Sequence, residues 1–550
     1  MMHIKKYLVL WMILFTSALM VCASEMKVKI QNPILPILLN KNYNPAIRLD
    51  FIRPNKNKYQ LNELDFNLSG TLDAKNIYSI SVCCTNSKGN IDTARVIATS
   101  LINSNKVNIK TNFDIDSDTL SVWISVKVVN VSDLNKTIKI NCEQVIVNES
   151  SVKLYPTSES KSLRLGIAVH QHGQDGVNTT RIPGLITSKN GTLMAVFDAR
   201  WDSGRDLQGN IDIGLKRSFD KGLTWQPLQI VLDMGTWGGL PQKYNGVSDA
   251  CILVDNKTGA IFIAGLWMHG VLDGNTGKWV EGLTEKSDNW IHQWIKKGSQ
   301  PGLDVKQTCQ FLITKSTDDG NTWSKLMNIT STTKRPEWWL FAPAPGHGIT
   351  LDDGTLVMPT QGRDNTGKPF SNITLSKDHG KTWETSNPAF YDVSECMAVE
   401  LKNGNIMLNM RDNKNRTDTL INGRRICVTP DRGQTWSESP TSRKALIEPT
   451  CMGCIHRHKY WVNGREKSVL FFSNPNDKSQ RINLTIKVSF DEGNTWPQKN
   501  WITLDEYKSA GYSCLTSIDD NTLGVLYESS QADLVFQQIN IDEILKQNEK

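Results

Sequence analysis

The chain has 550 residues, of which 39% are hydrophobic and 21% charged, and a formal net charge of +6. That balance excludes a disordered polymer and a polytopic membrane protein, and the charge is too mild to imply a nucleic-acid partner. Tryptophan (17) outnumbers phenylalanine (15) and tyrosine (11), so some feature of the fold uses tryptophan repeatedly.

Lys5 and Lys6 precede an apolar run from Tyr7 to Val21, and small residues follow at Ala23 and Ser24. A short apolar core behind positive charge reads as a secretory signal spanning 1–23, cleaved after Ala23, and not as a membrane span. Loss of the two lysines lowers the net charge from +6 to +4, so the exported chain is nearly neutral. Ten of the 11 cysteines then remain, scattered too thinly for a disulfide framework.

Residues 24–155 are poor in tryptophan and carry alternating runs at Tyr78–Cys84, Lys106–Phe113, Thr119–Val129 and Thr137–Val147. This spacing predicts a small β-sandwich-like domain. Its aromatic residues offer no sugar platform beyond Tyr59 and Trp123. The polar stretch Glu149–Ser162, with Pro156, reads as a linker.

The remainder, 156–550, is governed by a repeat. Ser218-Phe-Asp220-Lys-Gly222-Leu-Thr224-Trp225 recurs around Asp318, Asp378, Asp431 and Asp491, at separations of 98, 60, 53 and 60 residues. Each copy follows a strand-like run and has hairpin chemistry: side-chain oxygens to bond turn amides, a glycine for positive φ, and a tryptophan to fold back as a cover. Five copies at a period of roughly 50–60 residues predict an all-β propeller, with the aspartates as turn residues and not catalysts. The long first interval places an insertion near 267–306, a segment rich in tryptophan (Trp267, Trp279, Trp290, Trp294). The cluster Cys451-Met-Gly-Cys454-Ile-His456-Arg-His458 puts 454, 456 and 458 on one strand face. Packing or a bridge is favoured there over zinc, because a second ligand pair at knuckle spacing is missing. His170-Gln-His172 reads the same way.

Five further phrases carry chemistry: Thr180-Arg181-Ile182-Pro183; Asp198-Ala-Arg200 with the loop to Asp202, Arg205 and Asp206; Ser394-Glu395 with Leu408-Asn-Met-Arg411; Arg481-Ile-Asn-Leu-Thr; and Gly511-Tyr512-Ser513. In content and order they resemble the bacterial exo-α-sialidase family over about 160–550. The resemblance implies a six-bladed propeller behind an N-terminal β-domain of structural or carbohydrate-binding type. It also implies release of terminal α-linked sialic acids with retention, by an enzyme exported to the periplasm, cell surface or medium of a bacterium. Arg181, Arg411 and Arg481 then bind the substrate carboxylate. Tyr512 is the nucleophile, Glu395 its base and Asp206 the acid/base, with Asp202 the rival for that last role. Arg200 and Asp249 are further substrate contacts.

The residue types suit that chemistry on their own. Arginine is planar, permanently charged and bidentate toward a carboxylate. A neutral tyrosine avoids driving a second anion onto a centre that already bears one, and sialidases are a known exception to the two-carboxylate scheme. No metal or organic cofactor is required, and a monomer is the default. The alternatives are a trans-sialidase, an intramolecular-transfer enzyme using the same residues, and a propeller that binds glycans without turning them over.

Overall fold

The computed structural model describes residues 25–85, 94–207, 209–235, 242, 245–270, 292, 299–418 and 420–548. Residues 1–23, expected to be a secretory signal, and Trp279, Trp290 and Trp294 lie outside the described residues. No helix among the described residues is long and apolar enough to cross a membrane.

Six sheets stand around an axis. The first holds Thr179–Thr187, Leu193–Arg200, Ile211–Ser218 and Gln229–Leu232, hydrogen-bonded in that order. The innermost strands of the second, fourth, fifth and sixth are Asn245–Val254, Val393–Glu400, Cys454–Val462 and Ser513–Asp519. In the third sheet, Leu340–Pro343 and Ile349–Thr350 share that place, both paired to Leu356–Arg363. Leu193–Arg200 and Ile261–His269 are buried at every position, because neighbouring blades cover both faces. The propeller has six blades, as the family resemblance implies.

All five aspartate repeats form the same turn. Asp220 accepts from Ser218 Oγ (2.8 Å), Thr224 N (2.9 Å) and Thr224 Oγ1 (2.6 Å), while Gly222 N donates to Ser218 Oγ (2.8 Å). The bonds recur at Asp318, Asp378, Asp431 and Asp491. Positive φ is shared by two consecutive residues in each copy, such as Lys221 (58°) and Gly222 (94°). Glycine is demanded at the second for a further reason. A Cβ on Gly222 would strike Phe536, and one on Gly380 would strike Phe262, each on the preceding blade. The turn is thus a wedge between blades as well as a hairpin end.

Three expectations need correction. Residues 149–162 are not a free linker: Ser150–Ser151 pairs with Thr137–Val147, and Leu154–Pro156 adds to Lys27–Gln31 in parallel. The insertion lies between the second and third strands of blade two, Ile261–His269 and Gln310–Ser316, and Trp267 belongs to the first of these and is buried. Trp123 is buried with its ring edge-on to Tyr507 of the propeller (6.2 Å), so it forms no surface platform.

Two sheets build the N-terminal region. One contains Asn44–Ile52, Thr119–Val128 and Ile77–Cys84 at its centre. The other, Lys106–Asp114, Gln60–Gly70 and Thr137–Val147, runs on through Leu163–His170 into blade six. That strand also closes the ring, with Ile167 opposite Phe536. One strand therefore belongs to both sandwich and propeller.

Candidate active site

Residues from all six blades gather around a cavity of about 380 Å³ at one end of the axis, including Arg181, Arg200, Asp206, Asp249, Gln361, Arg363, Glu395, Arg411, Arg481 and Tyr512. All eight site residues expected from sequence line it. Asp202, the rival acid, does not.

Tyr512 stands immediately before the inner strand of blade six, Ser513–Asp519, and Gly511 before it has φ 87°. A Cβ on Gly511 would come within 3.1 Å of Arg481 Cβ, so glycine is needed there both for its dihedral and for the close approach of that arginine. The Tyr512 hydroxyl donates to Glu395 Oε1 in a short hydrogen bond, and Arg411 NH1 donates to the same hydroxyl at 3.0 Å. Arg411 also holds Glu395 Oε2 at 2.5 Å. Glu395 and Arg411 face each other across adjacent strands, at the register shift between Val393 and Cys396. The bulge turns both side chains to the axis.

The three arginines are supported differently. Arg181 donates through Nε to Glu528 Oε1 at 2.5 Å. Arg411 is paired with Glu395. Arg481 donates to the carbonyls of Ala510 (2.8 Å) and Thr450 (3.4 Å) and, among the described residues, has no carboxylate at ion-pair distance. The guanidinium carbons of Arg181 and Arg481 lie 5.6 and 5.4 Å from the centre of the Tyr512 ring. The guanidinium trio therefore surrounds one phenol.

Burial pushes Glu395 up, but Arg411, the Tyr512 hydroxyl and Arg481 outweigh it and hold the carboxyl below its ordinary value. Burial and the Glu395 carboxylate drive the Tyr512 phenol well above its usual value, against the pull of Arg411 and Arg481. The resting pair is thus carboxylate and neutral phenol.

Opposite them, Arg200 is buried and donates to Asp198 Oδ2 (2.9 Å), the Gly204 carbonyl (3.1 Å) and Asp206 Oδ1 (3.2 Å). The carboxylate of Asp206 is 80% exposed, on a loop over the cavity. Asp249 has φ 58° and receives Gln361 Nε2 at 3.1 Å. Burial, with Glu395, Asp198 and Asp206 nearby and against the pull of Arg200, pushes the Asp249 carboxyl well above the usual carboxylate range.

Sequence reasoning missed Glu528. Its carboxylate receives Arg181, Ile182 N (3.0 Å) and Tyr512 N (2.8 Å), tying the first inner strand to the last. Ile182, a β-branched residue, is held at φ 61° beside it. Such strain persists only where surroundings over-determine it. The available signal was an acid directly after the apolar run Leu523–Tyr527. Asp198 was quoted only as part of a phrase; it is fully buried and also receives Ser248 Oγ (2.6 Å) and Asp249 N (3.2 Å). Arg481 lies ahead of its strand, which begins at Leu484.

Across 425 residues the chain is 40% identical to a sialidase of Bacteroides fragilis (strain YCH46), covering 77% of this chain and 74% of that protein. The chain belongs to the sialidase family. It is accordingly a glycoside hydrolase. Residues 182–528 match the BNR repeat-like domain family. A sialidase of Clostridium perfringens is 27% identical over 64% of this chain and 86% of its own length. Among solved structures, the Hadza microbial sialidase Hz136 superposes with a TM-score of 0.83 at 33% identity, over 94% of this sialidase and all of that chain.

Proposed function

We propose that this sialidase removes terminal α-linked sialic acid from glycans by two displacements with net retention. Arg181, Arg411 and Arg481 receive the carboxylate on the anomeric carbon, and Arg200 and Asp249 hold the sugar's polar groups. Asp206 protonates the departing glycosidic oxygen while Tyr512 attacks the anomeric carbon and passes its proton to Glu395. Asp206, now ionised, takes a proton from water, whose oxygen bonds to the anomeric carbon as the bond from that carbon to the tyrosyl oxygen breaks, and Glu395 returns its proton to the phenolate.

The observation that supports this reading most is the hydroxyl of Tyr512 held between Glu395 and Arg411 inside a ring of three guanidinium groups. Because the resting phenol is hard to ionise, its proton must leave in step with cleavage. Positive charge growing at the anomeric carbon then stabilises the forming phenolate. Tyr512→Phe is expected to lower kcat by about 10³-fold or more on a fluorogenic sialoside. Near-normal turnover by that variant removes the nucleophile. Proton NMR of the first-formed sugar should show the α anomer, and initial β product excludes retention.

We propose further that 1–23 is removed on export, on the strength of its charged start and apolar run, and that the β-domain at 24–155 is a structural partner of the propeller.

A further inference from the structure

About five residues along each inner strand from the catalytic groups, at the far end of the axis, lies a second cavity of about 340 Å³. It is lined by His347, His456, Thr187, Thr516 and Ser517 among others. Against that second cavity, and buried, His347, Cys454 and Cys514 bring one donor atom each to within 4.8 Å of one another.

We propose that these three side chains form a soft-metal site that takes zinc. Three observations converge on it. His347 Nδ1 faces the Gly348 carbonyl at 3.0 Å, a contact that fixes the proton on Nδ1 and leaves Nε2 as a lone pair. That Nε2 is 3.8 Å from Cys454 Sγ, close to the ~3.6 Å separation that zinc–nitrogen and zinc–sulfur bonds of about 2.0 and 2.3 Å give in a tetrahedron. Leu515 N donates to Cys454 Sγ at 3.3 Å, the kind of backbone bond that supports a thiolate. The charge also balances. Coordination releases two thiol protons to solvent, and two thiolates, a neutral imidazole and Zn²⁺ sum to zero, which a buried site tolerates. Two sulfurs and an imidazole select zinc over the hard cations.

Other clusters are satisfied differently. His456 Nε2 and His458 Nδ1 both meet Ser517 Oγ at 2.8 Å, so the histidines next to Cys454 in sequence are engaged elsewhere. The ligands come from three separate stretches: the segment entering blade three, the inner strand of blade five, and the inner strand of blade six two residues beyond Tyr512. A metal here would pin the axis behind the catalytic floor. The proposal stands independently of the roles assigned to Tyr512 and Glu395.

The test uses the full chain, reduced and freed of metal, titrated with Co²⁺ and then Zn²⁺. One equivalent of cobalt is expected to give thiolate-to-cobalt charge-transfer absorption with the intense visible bands of a tetrahedral ion, and zinc should abolish both. Cys454→Ser and His347→Gln should each lose that signature while still releasing sialic acid. Wild-type protein that is catalytically active yet shows no thiolate-to-cobalt band overturns the site, whatever the variants do. So does peptide mapping of the exported protein that finds Cys454 bridged to Cys514.

Discussion

At the scale of single residues, the site is a balance of charges in which Arg181 is paired with Glu528 and Arg411 with Glu395, while Arg481 rests on backbone carbonyls. Glu528 is the residue through which two of the proposed functions communicate, since it receives both Arg181 and the backbone of Tyr512. Glu528→Gln keeps the shape but removes the anion. The expected result is a fall of about 10–100-fold in kcat/KM, with KM raised through Arg181 and kcat lowered through Tyr512, or roughly 1.4–2.8 kcal/mol of transition-state stabilisation. Steady-state kinetics within twofold of wild type would show that Glu528 positions neither. The pH dependence follows from Glu395. Its carboxyl is held below its ordinary value and acts as carboxylate, so activity should persist through the normal glutamate range near ~4.3 and fail only as pH drops through the lowered value. A kcat/KM profile whose acid limb bends above pH ~5 contradicts this. The anchoring arginines and Tyr512 were legible because each sits in a distinctive phrase. Glu528 and Asp198 were not, because a buried acid acquires meaning only from what the fold places against it.

At the scale of elements, the repeat turn explains both the composition and part of the stability. Trp225 Nε1 donates to the Gly222 carbonyl (3.1 Å) and Trp496 Nε1 to that of Gly493 (3.2 Å), each indole closing its own turn. Burial opposes ionisation of Asp220, Asp378 and Asp491, but bonds from Thr and Ser outweigh it and hold these carboxyls low; at Asp318 and Asp431 the threonine bonds lead. Asp318 and Asp378 are held at about 2. A depressed folded value means that the native state binds fewer protons than the unfolded chain. The stabilisation is therefore complete above the unfolded value of ~3.9 and is lost as pH falls toward about 2. Thermal melts should show Tm dropping steeply between these limits, and a Tm flat from pH 4 to 2.5 argues against it. Asp491→Ala, which strips bonds from Ser489 and Thr495, is expected to destabilise by about 1–2 kcal/mol with kinetics unchanged. These turns were readable because their chemistry is local. The strand Asn44–Ile52 was passed over because its alternation is broken by buried polar residues such as Asn44 and Asp50, which find partners only in the folded sheet, and in Gln60–Gly70 a bulge between Leu61 and Glu63 interrupts the period.

At the scale of the whole molecule, what sequence could not reveal is how far the two regions are one body. A polar stretch with a proline looks like a hinge, yet here it supplies a strand, and the next segment is shared. Leu163–His170 pairs with Thr137–Val147 at one end and with Leu534–Asn540 at the other. Around this seam Asn40 exchanges two hydrogen bonds with the backbone of Ala168 (2.9 and 3.0 Å). Glu506 accepts from Ile34 N (3.0 Å), and Lys41 Nζ reaches the Gln531 carbonyl (2.8 Å). The ring is closed by that same strand, so the sandwich braces the closure on which blade six, Tyr512 and Glu528 depend. A fragment beginning at 160 keeps the closing strand but exposes its outer edge and the Tyr507 face that Trp123 covers in the full chain. It should melt below the full chain and aggregate more readily, with activity per folded molecule reduced. The full chain should unfold in one calorimetric transition, because neither region keeps its seam without the other. Two well-separated transitions, or a fragment as stable and active as the whole, would mean that the shared strand joins two independent units and that the sandwich takes no part in holding the site together.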